Sequence, residues 1–260
     1  MDITRIRGTA AEHGTDDIAI EEPLEIRVGE RAISVTMRTP GDDFELAAGF
    51  LFTEGIVKSA AQIEGMRHWG SPNVVRVALT EGSHIDWQRL QRNFYATSSC
   101  GVCGKASIDA LRVAAPRQEH TLALDAEAIH AMPGKLRAAQ TQFASTGGIH
   151  AAGIFDARGN LLRTREDIGR HNAVDKVIGS FWLENVALGG HVLFVSGRAG
   201  FEIVQKAAVA GIPAIAAVGA PSTLAVELAR EFNLTLLGFV RDRRFNVYAG
   251  ADGMWRETGA

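Results

Sequence analysis

Only two cysteines occur in the 260 residues, and they stand three positions apart. Two thiols exclude a disulfide framework and leave a single Cys-x-x-Cys as the place for redox, metal or sulfur chemistry. Charge of one sign is scarce too. The 27 Lys and Arg face 30 Asp and Glu, so bulk nucleic-acid binding is not expected and any anion site must be local. A long apolar run is missing: the uncharged stretch from Ala207 to Ala225 is broken by Gly211, Pro213, Gly219 and Pro221, a poor membrane span. The opening MDITRIRGTA has no apolar centre, so no signal peptide is expected and the cytoplasm is the expected compartment. Neither a Gly-x-Gly-x-x-Gly nor a Walker A pattern is present, which argues against ordinary dinucleotide or ATP use. The eight histidines include no i, i+4 pair, so a helical metal site is not expected.

What is present divides into three stretches. Residues 1–20 are polar and read as a loose, irregular tail. Residues 21–124 read as a smaller α+β part. There, Leu24, Ile26 and Val28 alternate before Gly29, and Ile33, Val35 and Met37 alternate after it, which predicts a hairpin. Asp42 and Asp43 open a helix with Phe44, Leu46, Ala47, Phe50 and Leu51 on its apolar side. Val74 to Leu79 predicts a strand, and a short polar helix is expected around Trp87–Arg92. Residues 125–260 read as an α/β sandwich. Asp125 caps a helix to about Gln142, expected to break at Pro133-Gly134. Strands at Ile149–Phe155 and Leu161–Thr164 flank the turn Asp156–Gly159, and a helix follows from Asn172 to Glu184. Short buried strands at Val192–Val195, Ile212–Val218 and Leu234–Val240 then alternate with helices at Phe201–Ala210 and Ser222–Phe232. That βαβαβ rhythm requires a parallel sheet with right-handed crossovers.

The sharpest local signal is Ser98-Ser99-Cys100-Gly101-Val102-Cys103-Gly104-Lys105. Gly101 and Gly104 permit an open loop, and the helix expected over Ala106–Val113 puts Cys103 near a helix N-terminus. That terminus and Lys105 both favour thiolate over thiol. A thiolate attacks a persulfide or an electrophile, and the second cysteine resolves the first or receives its sulfur. Zinc would need about four ligands, of which the pair supplies two. A buried structural pair conflicts with the glycine-rich setting. Thioredoxin-like redox chemistry and sulfur transfer both remain open on these residues alone.

Two further regions carry polar density. Glu166-Asp167-Ile168-Gly169-Arg170-His171-Asn172 joins a strand to a helix; it is either a capped helix start or a ligand-orienting pocket, with His171 as a possible proton carrier. Ligands bind beyond the carboxyl ends of parallel strands. Those ends are Ser196-Gly197-Arg198, Gly219–Ser222 and Arg241-Asp242-Arg243-Arg244, and two of them lead into helix N-termini that welcome phosphate. Arginine forks match phosphate and guanine edges, which makes Ser196, Arg198, Arg241, Arg243 and Arg244 candidates for one continuous anion pocket.

Taken in order, Ser99-Cys100-Gly-Val-Cys103-Gly, Ser145-Thr-Gly147-Gly148-Ile-His150, Arg165–Lys176, Ser196-Gly-Arg198 and Gly238–Asn246 resemble the FdhD family of formate dehydrogenase accessory sulfurtransferases, over about residues 21–250. The resemblance implies a cytoplasmic homodimer with a cytidine-deaminase-like core. It implies that sulfur arrives as a persulfide from a cysteine desulfurase and goes to the bis-molybdopterin guanine dinucleotide form of the molybdenum cofactor, needed for formate dehydrogenase. GDP is then an analogue of the cofactor's ends. By position, Cys100 bears the persulfide, Cys103 is its partner, and Phe239, Val240, Arg241, Asp242, Arg243 and Arg244 form the cofactor-binding segment. No resident metal, membrane or nucleic acid is expected. A cofactor chaperone whose cysteines only hold zinc is the alternative. A zinc deaminase would need His-x-Glu, which is absent, and a proline where Ser99 stands.

Overall fold

A computed structural model of the chain describes residues 1–83, 85, 115, 117–118 and 122–250. Cys100 and Cys103, and the short helices expected near 87–92 and 106–113, lie outside the described residues. The polar start is not irregular. It holds β1 (Asp2–Arg7) and β2 (Ala10–Thr15), an antiparallel ribbon turning at Gly8, whose φ is +62°. Its side chains are mostly exposed, so no apolar alternation announced it.

The expected hairpin forms as β3 (Glu22–Val28) and β4 (Arg31–Arg38), and α1 (Asp43–Thr53) follows. β5 (Ile63–His68), which carries too little apolar pattern to be foreseen, and β6 (Val74–Leu79) complete a four-stranded sheet of order β4-β3-β6-β5. Leu24, Ile26, Val75 and Val77 meet Leu46 and Leu51 of α1 in its core.

In the larger unit, the Asp125 carboxylate accepts the N–H groups of Glu127 and Ala128 and starts α2 (Ala126–Ala139). Pro133 lies inside this helix, and the break comes instead at Gln140, before α3 (Thr141–Thr146). A proline inside a helix costs about 3 kcal/mol. Burying Ile129, Met132 and Leu136 against the sheet contributes roughly 1.5–3 kcal/mol each, and packing wins. β7 (His150–Asp156) and β8 (Leu161–Asp167) make a hairpin, then α4 (Arg170–Leu183), β9 (His191–Val195), α5 (Phe201–Val209), β10 (Ala214–Ala217), α6 (Thr223–Glu231), β11 (Thr235–Arg241) and β12 (Arg244–Ala249) follow. The six-stranded sheet has the order β12-β11-β10-β9-β7-β8, with β9, β10 and β11 parallel as the rhythm required. Ala152, Leu193, Val195 and Ile215 face α4, α5 and α6, while Phe155, Phe194, Ala216 and Leu237 face α2. This is the expected three-layer α/β sandwich, extended by the antiparallel edge strand β12.

The two sheets are joined by helix against helix. A Cβ added at Gly49 of α1 would lie 1.9 Å from the Asp175 carbonyl oxygen, and one at Gly179 of α4 would lie 2.0 Å from that of Glu45. The helices therefore cross backbone to backbone, which only glycine permits. Gly179→Ala gains about 1 kcal/mol of helix propensity. It also forces apart two backbones, and overpacking of that kind costs about 1–3 kcal/mol or more. A net fall in the melting temperature is expected by calorimetry.

Candidate functional site

The polar block 165–176 resolves into mostly structural parts. Arg165 grips the Glu45 carboxylate with Nε at 2.6 Å and Nη2 at 2.7 Å. Glu166 accepts the N–H groups of Gln142 and Phe143, both at 2.9 Å, and so caps α3. Asp167 is fully buried. It accepts from Gly169 N–H at 2.8 Å, from Asn172 Nδ2 at 3.0 Å and from Thr39 N–H at 3.2 Å, and it pairs with buried Lys176 at 2.8 Å. Asp175 pairs with Lys206 at 3.0 Å and accepts from the Thr53 hydroxyl at 2.8 Å. These contacts fasten the N-terminal unit to the sandwich. Arg170 and His171 take no part in these contacts.

The three strand ends do run together. Gly219 N–H donates to Gly197 carbonyl at 3.0 Å, and Phe239 N–H to Gly219 carbonyl at 3.1 Å. Ala199 bridges Pro221, and the Ser222 hydroxyl caps α6 by accepting from Ala225 N–H. Small residues make this contact possible: a Cβ at Gly238 would meet Pro221 and Tyr248 at 2.9 Å. At one end of the row lies a cavity of about 560 Å³, bounded by Ser196 and Val218 just past β9 and β10, Gly147 and Gly148 before β7, His150 at its start, Arg137 of α2 and Phe143 of α3.

His150, whose role the sequence left open, is the ionisable group of that wall. Burial first, then Arg170 and His171, hold it below the ordinary histidine value, with Asp167 opposing. It is therefore a neutral imidazole at pH 7. Ser196 keeps its hydroxyl on Ala151 N–H at 2.9 Å, so its part is to shape the wall. Beside them, Arg170 Nε is buried with no hydrogen-bond partner, and the Arg170 side chain borders Gly197. Arg170 does not line the cavity itself; its unpartnered nitrogen stands one residue behind the wall, where Gly197 adjoins Ser196 and His150. The sequence signal for it was present, an arginine at a helix start, but the carboxylates around it masked its role.

The remaining candidates separate. His171 does not join the strand-end cavity. Its Nε2 lies 2.9 Å from Glu202 in a different groove, between β4 and the α4–α5 layer, and this hydrogen bond holds the Glu202 carboxyl below its usual range against burial. Val240 is fully buried and packs in the core, so its side chain is not a ligand contact. Phe239 is a non-glycine residue at φ +54°, within a register irregularity of β11 against β12, and strain of that kind concentrates at functional sites. Asp242 and Arg243, at φ +52° and +53°, form the two-residue hairpin turn. Arg241 and Arg244 face one another across it, while Arg243 reaches Glu127 of α2 at 2.6 Å. Arg198 is exposed at the rim. Among the described residues no three His, Cys, Asp or Glu side chains form a metal-holding group, and no helix is long and apolar enough to cross a membrane.

The model of the FdhD/NarQ family matches residues 19–254. The chain belongs to the FdhD/NarQ family. It is 48% identical over 262 residues to the sulfur carrier protein FdhD of Mycolicibacterium paratuberculosis, covering 96% of each. It is 48% identical to the sulfur carrier protein FdhD of Streptomyces coelicolor, covering 96% of this chain and 93% of that one. A crystal structure from Desulfotalea psychrophila, described as a formate dehydrogenase accessory protein, superposes with a TM-score of 0.76 at 27% identity, covering 97% and 96% of the two chains. Within this FdhD/NarQ member, the fold has spent most of the charged residues of block 165–176 on joining two sheets. Arg170 is left beside His150 and the glycine-lined row of strand ends.

Proposed function

We propose that this chain takes persulfide sulfur from a cysteine desulfurase onto Cys100, with Cys103 as its partner. It then delivers that sulfur to the bis-molybdopterin guanine dinucleotide cofactor for formate dehydrogenase. The observation that carries the reading is kinship over nearly the whole chain with proteins named as sulfur carriers. A sulfur-carrying part in formate dehydrogenase maturation follows from it directly. The cytoplasm and a homodimer complete the proposal. The cofactor is substrate here, not a resident group. The cavity beside the strand ends supports one nucleotide end of it: about 560 Å³ suits a single small-molecule moiety, not the whole dinucleotide. Arg170, Arg198 and the Phe239–Arg244 hairpin supply the phosphate-matching charge, and neutral His150 offers one donor and one acceptor.

Two measurements test the reading. Incubation with a cysteine desulfurase and cysteine adds sulfur to the protein, seen by intact mass spectrometry and removed by dithiothreitol; a protein that never gains this mass is not a persulfide carrier. Calorimetry with GDP tests the cavity. A charge-assisted hydrogen bond from arginine contributes roughly 1.5–3 kcal/mol, so Arg170→Glu weakens GDP by about tenfold or more. The same variant still loads sulfur on Cys100. Unchanged GDP affinity would remove Arg170 from the site.

A further inference from the structure

The two edges of the four-stranded sheet are treated differently. β5, at one edge, carries Glu64, Arg67 and His68, the charged side chains that discourage pairing. β4, at the other, bares Val35 at 65% exposure and Met37 at 46%. Its backbone orientation follows from its neighbour. Pro23 has no N–H and stands opposite Met37, so that pair is not hydrogen-bonded across the ladder. The Met37 carbonyl accordingly turns outward and accepts from Asn172 Nδ2 at 2.7 Å. Two residues earlier, in the same regular register, Val35 also turns its N–H and C=O away from β3. No strand among the described residues pairs with that side; Asn172 takes the Met37 carbonyl, and the N–H and C=O of Val35 are the groups that face a further strand.

Alongside this edge runs a groove of about 540 Å³. One wall is Ser34 to Met37 of β4, the floor includes Ile26, Leu46 and Phe50, and the far wall is the start of α4 and α5. Four carboxylates (Glu21, Glu54, Asp175 and Glu202) border it against one ammonium group, that of Lys206. Lys206 pairs with Asp175 and Glu54, and His171 lies 2.9 Å from Glu202; the four carboxylates still outnumber these partners, so the groove carries net negative charge. It is separate from the cavity beside the strand ends.

We propose that the free edge of β4 and the acidic groove beside it seat an extended peptide segment of a partner protein, one that carries lysine or arginine and adds to the sheet as a further strand. The backbone of β4 supplies the pairing, the apolar floor takes alternate side chains, and the carboxylates select the basic ones. A second copy of this chain is a poorer occupant, because pairing β4 with β4 would press two acidic grooves together. The inference stands apart from the sulfur reading, and its test touches neither cysteine nor nucleotide.

The probe is a synthetic peptide of about eight residues, a strand's length, alternating valine and threonine between terminal lysines. Its counterpart ends in glutamates. Fluorescence anisotropy with the full chain is expected to show the lysine peptide binding at least about tenfold tighter. Hydrogen exchange is expected to show protection at the amide of Val35. Val35→Pro removes the outward donor at an edge position that tolerates proline, and it is expected to abolish binding with the melting temperature unchanged. Glu202→Gln is expected to narrow the preference for lysine. Equal affinity for the two peptides, or protection away from β4, overturns the proposal. So does sedimentation in which Val35→Pro splits a dimer, since that assigns the edge to a second copy.

Discussion

Cys100→Ala is expected to abolish activation of formate dehydrogenase when the variant replaces the wild type in cells, while the purified variant is expected to keep the melting temperature and the GDP affinity of the wild type. The chemistry requires a sulfur nucleophile that is ionised near neutral pH. A free cysteine is mostly thiol there, with an ordinary value near 8.5. Lys105 and the helix expected over Ala106–Val113 both shift the balance toward thiolate. Alanine at 100 removes the atom proposed to bear the transferred sulfur, and the only other thiol in the chain is Cys103, its proposed partner. The loss is therefore complete and not graded. The retained GDP affinity is the informative half, because the proposal assigns sulfur receipt to the cysteine pair and nucleotide capture to the strand ends. Full activation by a folded Cys100→Ala protein would end the persulfide assignment. Stoichiometric zinc lost on changing either Cys100 or Cys103 would favour the zinc-holding alternative.

How legible all this was in the sequence depends on what the residues were selected to do. The strands β9, β10 and β11 announced themselves because a buried parallel strand is apolar on both faces, and glycine or proline marks each end. The β1–β2 ribbon and β5 did not, because exposed strands carry no such pattern. Pro133 misled for a different reason: a local propensity of about 3 kcal/mol was outweighed by Ile129, Met132 and Leu136 meeting the sheet. At the site, the row of strand ends was legible from topology alone. The block 165–176 was not. Glu, Asp, Arg, His and Lys within one short stretch look like a catalytic cluster, and sequence does not reveal that Asp167 faces Lys176, or that Glu166 caps α3 through amides 24 and 23 residues upstream in the chain. His150 lay hidden in a strand start. Only the fold brings it beside Gly197 and Arg170.

The structural use of that block carries the other large effect. Lys206→Met is expected to destabilise the protein by about 3–5 kcal/mol, the cost of leaving a buried charge without its partner. That corresponds to a fall of roughly 6–20 °C in melting temperature for a chain of this size. Lys206 Nζ lies 2.8 Å from Glu54, 3.0 Å from Asp175 and 3.0 Å from the Thr53 hydroxyl, with 4% of its side chain exposed. Burial pulls the ammonium down, but the Asp175 and Glu54 carboxylates outweigh it and hold Lys206 above the ordinary lysine value. Burial pushes the Asp175 carboxyl up, against the pull of Lys206 and the Thr53 hydroxyl. Without Lys206, that carboxyl has only the Thr53 hydroxyl to hold it charged and faces Glu54 as well. Asp175→Asn is milder, because Lys206 keeps Glu54. The double variant Asp175→Leu with Lys206→Met recovers part of the loss, since an apolar pair leaves no buried charge. The pH dependence follows from the sign of the lysine shift. A folded-state value raised above the unfolded one gives stability that is complete below the unfolded value and fades as pH climbs through the folded one. At neutral pH the clamp is therefore whole, and the gap between wild type and Lys206→Met narrows in strong alkali, where Lys206 loses its proton, and again in acid, where the Asp175 carboxyl of the variant takes one up. Calorimetric melting of the single and double variants across acid to alkaline pH checks both claims. If Asp175→Asn proved worse than Lys206→Met, Glu54 would not be the second anchor, and the account of how α1 is tied to α4 and α5 would fail at that point.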